Sequence, residues 1–394
     1  MADTKTILYI HKGCFPEEVR AEKLCKSLAK SGHKVILVCK WFKENKQQEE
    51  IDGFTVYRVG FSKISFLYEG IPGNPFWTKA ISNCIQEFSP DLIICREILL
   101  MSNCVYASKG KNIPLLIDMA EHYPAAMKEW KKYKSNFIGR FFVHTLPIPQ
   151  LIEKHAVKHA NGIITVCVEQ NNRLIKEYHY PPDLLSIVHN TPYIDAFSSC
   201  KKGSRIPPIV FAHHGYFTLE RNLEMLVEGF DIAAKQVKDI QLVLAGEGET
   251  KIDIIKRVNS LSCKDRIHIL DAYKAKDLCS LYSETDIGIL PYTIDEFRNH
   301  TLPNKAFDYI SCGKPIISSS LYPMKRLLDE TQAGIYGDCS TPKGISALIL
   351  TMYHANIEQM SNNGLNSFKE TYNWQIDEKE LLRFINTFQT DENK

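Results

Sequence analysis

The sequence predicts an α/β protein of two doubly wound, parallel-sheet domains, each Rossmann-like, and three observations lead there. Short aliphatic or β-branched runs alternate with helix-period patterns along the chain, the signature of parallel α/β sheets. A length of 394 residues exceeds one ordinary core and suits two domains. The most linker-like composition, Ser198-Ser199-Cys200-Lys201-Lys202-Gly203-Ser204-Arg205 followed by Pro207-Pro208, falls near the middle, where the strand rhythm stops and restarts. The boundaries this sets are 1–197 for the first domain and 206–373 for the second, with a last helix over 374–390.

In the first half the expected strands are Thr6–Ile10, Val35–Cys39, Phe54–Val59, Leu92–Cys95, Pro114–Met119, Gly162–Val166 and Leu185–His189. A helix from Glu17 to Lys30 carries Val19, Leu24, Leu28 and Ala29 on one stripe and stops at Ser31-Gly32. The second half gives Ile209–His213, Gln241–Ala245, Ile267–Leu270, Asp286–Leu290 and Ile316–Ser319. Trp374 to Phe388 shows an apolar stripe of Leu381, Leu382, Ile385 and Phe388. Two such domains leave a cleft between the carboxyl ends of their sheets, where folds of this kind bind ligands.

Composition excludes several classes. With 48 basic and 46 acidic residues the formal charge is +2, so a global attraction to nucleic acid is not expected. The twelve cysteines are scattered singly, as at Cys25, Cys84, Cys167 and Cys279, without a Cys-x-x-Cys pair. That argues for buried reduced thiols in a cytosolic protein, against a disulfide framework and against a zinc knuckle. MADTKTILYI passes directly from polar residues into a strand, so no secretory signal is expected. No run approaches the roughly 18 apolar residues that span a bilayer. A soluble, cytoplasmic protein is expected, or one resting on the inner face of a membrane.

The stretch from Asp295 to Ser319 is the most informative. A loop ends in Leu302-Pro303-Asn304-Lys305, a helix runs through Ala306, Phe307, Asp308, Tyr309 and Ile310, and Gly313-Lys314-Pro315 leads into a buried strand. Pro303 suits a first helical turn, whose free N–H groups, with Asn304 and Lys305, form an anion site. Asp308, three residues after Lys305, shares its helix face and is placed to accept hydrogen bonds from a sugar diol. The plainer reading is a structural helix start followed by a tight turn. Gly246 and Gly248, in Leu244-Ala245-Gly246-Glu247-Gly248-Glu249, read equally as a nucleotide approach or as an ordinary glycine turn. His155 and His159 are spaced as zinc ligands can be, but lack a following Glu and a third ligand, so a half-buried pair is expected. Gly313-Lys314 is no Walker loop, since Pro315 stands where Ser or Thr is needed. There is no Gly-x-Ser-x-Gly, and no Gly-x-Gly-x-x-Gly after the first strand.

The 295–319 pattern resembles the C-terminal donor-binding motif of GT-B glycosyltransferases of the family 4 type, and the resemblance extends along nearly the whole chain. Ile7-Leu8-Tyr9-Ile10 with His11-Lys12-Gly13-Cys14-Phe15-Pro16 is similar to the family's first strand and cleft-facing loop. Leu116-Ile117-Asp118-Met119-Ala120-Glu121-His122-Tyr123-Pro124 resembles its Asp-x-His-Glu-x-x-Pro segment, with Ala120 where His is usual. His214-Gly215-Tyr216 and Arg221-Asn222 resemble a loop whose basic residue reaches the donor diphosphate; Tyr216 stands where many members have Arg, so the role passes to Arg221. Asp308 takes the place of the second acid of a Glu-x7-Glu pair, and His300 that of the first, with Asp295 or Glu296 as substitutes.

The resemblance implies transfer of a sugar from a nucleotide-diphosphate donor to a saccharide or lipid-linked saccharide, with retention of configuration. It implies no metal and no cofactor, and no Asp-x-Asp pair is present to hold a divalent ion. Arg221, Lys305 and the turn opening at Pro303 would stabilise the departing diphosphate, with Gly13, Gly215, Gly246, Gly248, Asn304 and Asp308 completing the donor site. Glu121 and His122 would serve the acceptor side. A nucleotide-sugar 2-epimerase of the same architecture and a catalytically silent nucleotide-sugar-binding protein are the alternatives. Residues 128–142, where Trp130, Tyr133, Phe137, Phe141 and Phe142 interleave with lysines and Arg140, suit either an anionic membrane surface or an ordinary helix over the cleft. By the same resemblance, the last helix would pack back on the first domain.

Overall fold

The computed structural model describes residues 4–41, 46–60, 64–130, 133, 137–200 and 207–388. Residues 201–206 of the expected linker, 131, 132 and 134–136 of the basic-aromatic stretch, and 389–390 of the expected last helix lie outside the described residues. The chain divides into two compact units: the first runs to Asn190 and resumes at Asp377, and the second is Thr191–Ile376.

The first unit carries β1 (Thr6–Cys14), β2 (Lys34–Lys40), β3 (Gln48–Ile51), β4 (Phe54–Val59), β5 (Leu92–Arg96), β6 (Leu115–Asp118), β7 (Gly162–Thr165) and β8 (Leu185–Ile187). They form one sheet in the order β3-β4-β2-β1-β5-β6-β7-β8. The central strands are buried along their whole length because helices cover both faces, which is why they read as unbroken aliphatic runs. The sheet is mixed rather than all parallel. β3 pairs antiparallel with β4 from Gln48↔Tyr57 to Ile51↔Phe54, through Asp52-Gly53, both at positive φ as a tight hairpin requires. The helix Val19–Lys30 turns Leu24 and Leu28 inward, but Val19 is 59% exposed and does not belong to the stripe.

The second unit carries β9 (Ile209–His214), β10 (Ile240–Ala245), β11 (Ile267–Leu270), β12 (Ile287–Leu290), β13 (Ile316–Ser319) and β14 (Gly334–Gly337), all parallel, in the order β11-β10-β9-β12-β13-β14. Its core is Phe211, Leu242, Leu244, Ile287, Ile289 and Ile317 against Leu226, Phe230, Ile345 and Ile349 of flanking helices. Strand order reverses between β1 and β5 in the first sheet and between β9 and β12 in the second. These switch points are where the carboxyl ends of open α/β sheets leave a crevice.

The last helix, Trp374–Asn386, starts in the second unit, where the buried Trp374 donates its N–H to the Pro192 carbonyl at 2.9 Å. From Asp377 it belongs to the first unit. Asp377 Oδ1 accepts from the His189 N–H at 3.2 Å, and Glu380 Oε1 from Ser186 Oγ at 2.7 Å. Gly162 of β7 sits so close beneath that a Cβ there would lie 2.5 Å from the Phe388 ring.

One buried ion pair joins several elements of the first unit. Asp118, at the end of β6, is fully buried, and its Oδ1 accepts from Arg20 Nε at 2.8 Å and Nη2 at 2.7 Å. Tyr9 of β1 donates to Oδ2 at 2.6 Å, and Arg20 Nη1 continues to the Val188 carbonyl after β8 at 2.9 Å. Burial alone would raise the Asp118 pKa, but the charges of Arg20 and Arg96 and the bonds from Arg20 and Tyr9 overcome it and hold it below the ordinary value. Its contribution to stability is therefore complete above about pH 4 and is lost as pH falls through the folded value. Removing one partner strands the other charge, so Arg20→Leu or Asp118→Ala should cost about 3–5 kcal/mol. Hydrogen exchange in β1 and β6 checks this; protection unchanged from the parent would contradict the pair's role.

Candidate functional site

At the switch point of the second sheet, the loops after β9 and β10 press backbone on backbone. The Gly215 N–H donates to the Ala245 carbonyl at 2.9 Å, Phe217 to Glu247 at 2.9 Å, and Thr250 to Phe217 at 3.0 Å. At Gly246 (φ +150°) a Cβ would lie 1.8 Å from the Gly215 carbonyl oxygen, and at Gly248 (φ +158°) 2.2 Å from that of Phe217. No other residue fits either position. The two glycines of the strand end are thus required by loop contact, whatever ligand lies beyond.

The helix Asn304–Ser311 starts one residue later than the sequence suggests. Pro303 is its N-cap, at φ −69° and ψ 130°, with no side chain capping the first turn, so the free N–H groups begin at the exposed Asn304. Lys305 Nζ lies 3.1 Å from Asp308 Oδ2 and 3.0 Å from Tyr282 OH, and Tyr282 OH donates to the same Oδ2 at 2.8 Å. Asp308 Oδ1 hydrogen-bonds to none of the described residues. The Lys305 ammonium also sits 5.8 Å from the Tyr273 ring centre and 5.6 Å from that of Tyr282. Burial works against its charge, but Asp308, with Tyr273 and Tyr292, outweighs burial and raises its pKa.

Arg221 ends the short turn Leu219–Arg221, with its guanidinium 4.2 Å from the Tyr292 ring centre. Its Nε is buried and has no hydrogen-bond partner among the described residues. Arg298, by contrast, is neutralised. It pairs with Asp295, which also accepts its backbone N–H at 2.8 Å, and lies 3.9 Å from Glu220. Asp295 is therefore committed to Arg298, and Glu296 is 64% exposed beside His300, 3.6 Å away. Tyr216 is 72% exposed.

Behind these cations lie buried, neutral imidazoles. His213 Nδ1 donates to the Ile289 carbonyl at 2.9 Å, and His214 Nδ1 lies 3.1 Å from Tyr309 OH, which donates to the Ala212 carbonyl at 3.1 Å. Burial first, then Arg221 and Lys305 for His213, lowers the His213 pKa to about 4. Burial, then His213 and Lys305, lowers that of His214 to about 3. Both rings thus present a buried Nε2 acceptor with no partner among the described residues. The pairing of Lys305, Asp308 and Arg221 with Tyr273, Tyr282, Tyr292, His213 and His214 was not legible from spacing. The one available signal is that His213, His214 and Tyr292 stand at or just past strand ends.

The first unit gathers a second polar cluster at the ends of β1, β5 and β6. Arg96 pairs with Glu97 and donates to the Asp118 carbonyl at 3.2 Å, and the Ala120 N–H reaches Glu97 Oε1 at 3.4 Å. Glu97 holds φ +64°, a left-handed conformation uncommon for this residue type. Burial, with Glu121 and Asp118 nearby, raises its pKa to about 8 against the pull of Arg96. Burial likewise raises that of Glu121, whose carbonyl accepts from Gln170 Nε2 at 3.3 Å. His11 is pushed down to about 3 by burial, then by Arg96 and Lys12. A Cβ at Gly13 would lie 2.5 Å from the His11 ring. His122 forms the N-cap of the helix Tyr123–Glu129. Glu121, His122 and Gly13 are thus in the first unit and the Lys305–Arg221 set in the second. His155 and His159 are a structural pair, with His159 Nδ1 donating to the His155 carbonyl at 2.8 Å. His122, Glu153 and Glu177 also lie close together, but Arg173 already binds Glu153 at 2.7 and 2.8 Å and Glu177 at 2.9 Å.

Two Rossmann-like units of this kind define the GT-B fold of glycosyltransferases. The family model described as Glycosyltransferase Family 4 matches residues 18–191, and that described as Glycosyl transferases group 1 matches 208–355. The chain belongs to the family 4 type of GT-B glycosyltransferases. It is 21% identical over 204 residues to an alpha-D-kanosaminyltransferase of Streptomyces kanamyceticus, covering 48% of this chain and half of that protein's length. It is 22% identical over 293 residues to an uncharacterised glycosyltransferase of Methanocaldococcus jannaschii, covering 67% of each. The fold matches sucrose-phosphate synthase of Thermosynechococcus elongatus at TM-score 0.75 and 15% identity, covering 97% of this chain and 98% of that one. It matches Anabaena HepE, solved with UDP, at TM-score 0.69 and 12% identity, covering 98% and 100%. Among the described residues no helix is long and apolar enough to cross a membrane.

The depressed histidines carry a pH dependence. Unfolded imidazoles take a proton near pH 6.5, and these take one only near 4 and 3, so stability falls as pH drops below about 6.5, by up to ~1.4 kcal/mol per pH unit for each ring. Imidazole NMR on the intact chain should show neither ring titrating between pH 8 and 5. A midpoint near 6.5 for either would contradict the burial.

Proposed function

We propose that the protein transfers a sugar, with retention and without a metal, from a nucleotide-diphosphate sugar to a saccharide or lipid-linked saccharide. The observation that carries this reading is Arg221, a guanidinium stacked on Tyr292 whose buried Nε has no hydrogen-bond partner among the described residues, in the same unit as a lysine at an uncapped helix start. A buried guanidinium nitrogen without an acceptor is costly unless a ligand completes it, and a diphosphate leaving group needs fixed positive charge as the anomeric bond breaks. Arg221, Lys305 and the N–H groups at Asn304 would hold the diphosphate. Asp308, with Oδ1 unengaged and Oδ2 held by Tyr282 and Lys305, would accept from the ribose diol. Since HepE has been solved with UDP and with UDP-glucose, uridine diphosphate is the first probe. Glu121 is the candidate for stabilising positive charge at the anomeric carbon, with His122 beside it.

Arg221→Ala or Lys305→Ala should each weaken UDP binding by about 1.5–3 kcal/mol, roughly 10- to 150-fold, while uridine binding changes little. Calorimetry that finds both variants binding UDP as the parent does would misplace the site. Asp308→Ala should raise the donor requirement in a folded protein, and Asp308→Glu should retain activity; a misfolded Asp308→Ala with no donor effect would assign the helix a structural role only.

The positive field of Arg221, Lys305 and the helix start takes the place a divalent ion would have at the diphosphate. Transfer activity should therefore persist in excess EDTA. Loss of activity restored by Mg²⁺ or Mn²⁺ would overturn that part of the reading. Product analysis completes the assay: epimer formed without acceptor would mark an epimerase, and tight donor binding without hydrolysis or transfer a binding protein.

A further inference from the structure

Of the twelve cysteines nine are buried, and two of the three that reach solvent touch each other. Cys200 Sγ lies 2.6 Å from Cys279 Sγ and 3.5 Å from the Cys279 carbonyl oxygen, and Ser199 Oγ lies 3.2 Å from Cys279 Sγ. Residue 200 closes the described stretch 137–200, whose residues 191–200 belong to the second unit, and Cys279 stands in the helix Leu278–Ser283. A disulfide needs its sulfurs at about 2.05 Å, so joining this pair asks for a shift of about half an ångström. We propose that Cys200 and Cys279 form a redox-active modification site that closes to a disulfide and ties segment 191–200 to the helix bearing Tyr282.

The surroundings favour the reaction. Hydrogen bonds from Cys200 and Ser199 lower the Cys279 pKa, which raises the share of nucleophilic thiolate. Lys314, whose buried Nζ has no hydrogen-bond partner among the described residues and whose pKa burial lowers, lies within electrostatic reach of Asp286 and, more weakly, of Cys312 and Cys200. Cys312 is buried beside Cys200, where solvent-borne oxidants do not reach it. With a peroxide as oxidant, the Cys279 thiolate attacks the O–O bond and takes one oxygen as a sulfenic acid. The other oxygen leaves as hydroxide and is protonated to water. The Cys200 thiol then attacks the Cys279 sulfur and expels a second hydroxide, which departs as water with the Cys200 proton. Two thiols lose two electrons, and hydrogen peroxide becomes two waters.

The bond has a structural reach beyond itself. Phe197, in the tied segment, packs edge-on against the Tyr282 ring with centres 5.3 Å apart, and Tyr282 OH holds Lys305 and Asp308. Fixing both sides of the Phe197–Tyr282 contact pre-organises the Lys305–Asp308 pair, which tightens diphosphate binding; this effect rests on the donor-site reading above.

The test treats the intact chain with stoichiometric hydrogen peroxide and maps its peptides, then measures UDP affinity before and after, with dithiothreitol reversal. The expected result is a Cys200–Cys279 cross-link with loss of two hydrogens, absent in Cys200→Ser and Cys279→Ser and retained in Cys312→Ser. UDP affinity should rise about threefold in the oxidised parent and in oxidised Cys312→Ser, and in neither Cys200→Ser nor Cys279→Ser. Another pairing, or sulfinic acid without a cross-link, would overturn the site. A cross-link that leaves UDP affinity unchanged or weaker would overturn its link to the donor helix. Reduced protein that binds no UDP would instead defeat the donor reading, and the peptide map alone would then decide the dithiol.

Discussion

Asp118 holds a negative charge where no water reaches it, and the first unit is assembled around the groups that make this tolerable. A buried carboxylate is stable only if its lone pairs are filled by well-placed donors, so β1, β6, the end of β8 and the helix Val19–Lys30 are fixed to one another through it. The constraint propagates outward. Arg96 lies 3.7 Å from the same carboxylate and brings Glu97, which in turn meets the Ala120 N–H at the start of the segment carrying Glu121 and His122. The acid in the family-like Asp118–Pro124 segment thus works as architecture.

The second unit meets the same need without charge. His213, His214 and Tyr309 fill the corresponding strand ends as neutral groups bonded to backbone carbonyls or to each other, so they cancel no cation. Arg298 is offset by Asp295 and Glu220, and Lys305 by Asp308, whereas Arg221 shares the charge of Glu220 with Arg298.

Much of the fold was legible because interior strands are buried on both faces: Phe54–Val59 and Ile316–Ser319 stand where their β-branched and aliphatic runs place them. The strands that sequence reading passes over are edge strands. Gln48–Ile51 carries two glutamates, and Gly334–Gly337 begins and ends on glycine, because an edge needs less apolar surface and benefits from charge. The misassigned Val19 shows that a stripe's first member lies beyond the cover of the sheet. In the site, Lys305 and Asp308 were legible since three residues on a helix bring side chains together. Tyr282, Tyr292, Glu97 and the His213–His214 pair were not, since tertiary folding alone brings distant positions together, and a left-handed glutamate leaves no mark in spacing.

The last helix gives the chain an unusual order of completion. The second unit is one uninterrupted segment, but the first closes only when residues from Asp377 onward lie against Ser186 and His189. During synthesis from the amino end, the sheet begun first is the one finished last, and the floor of Gly162 stays uncovered until Phe384 and Phe388 emerge. Apolar surface on the nascent first unit is thereby exposed throughout translation of the second, which makes this helix the element that completes the first unit.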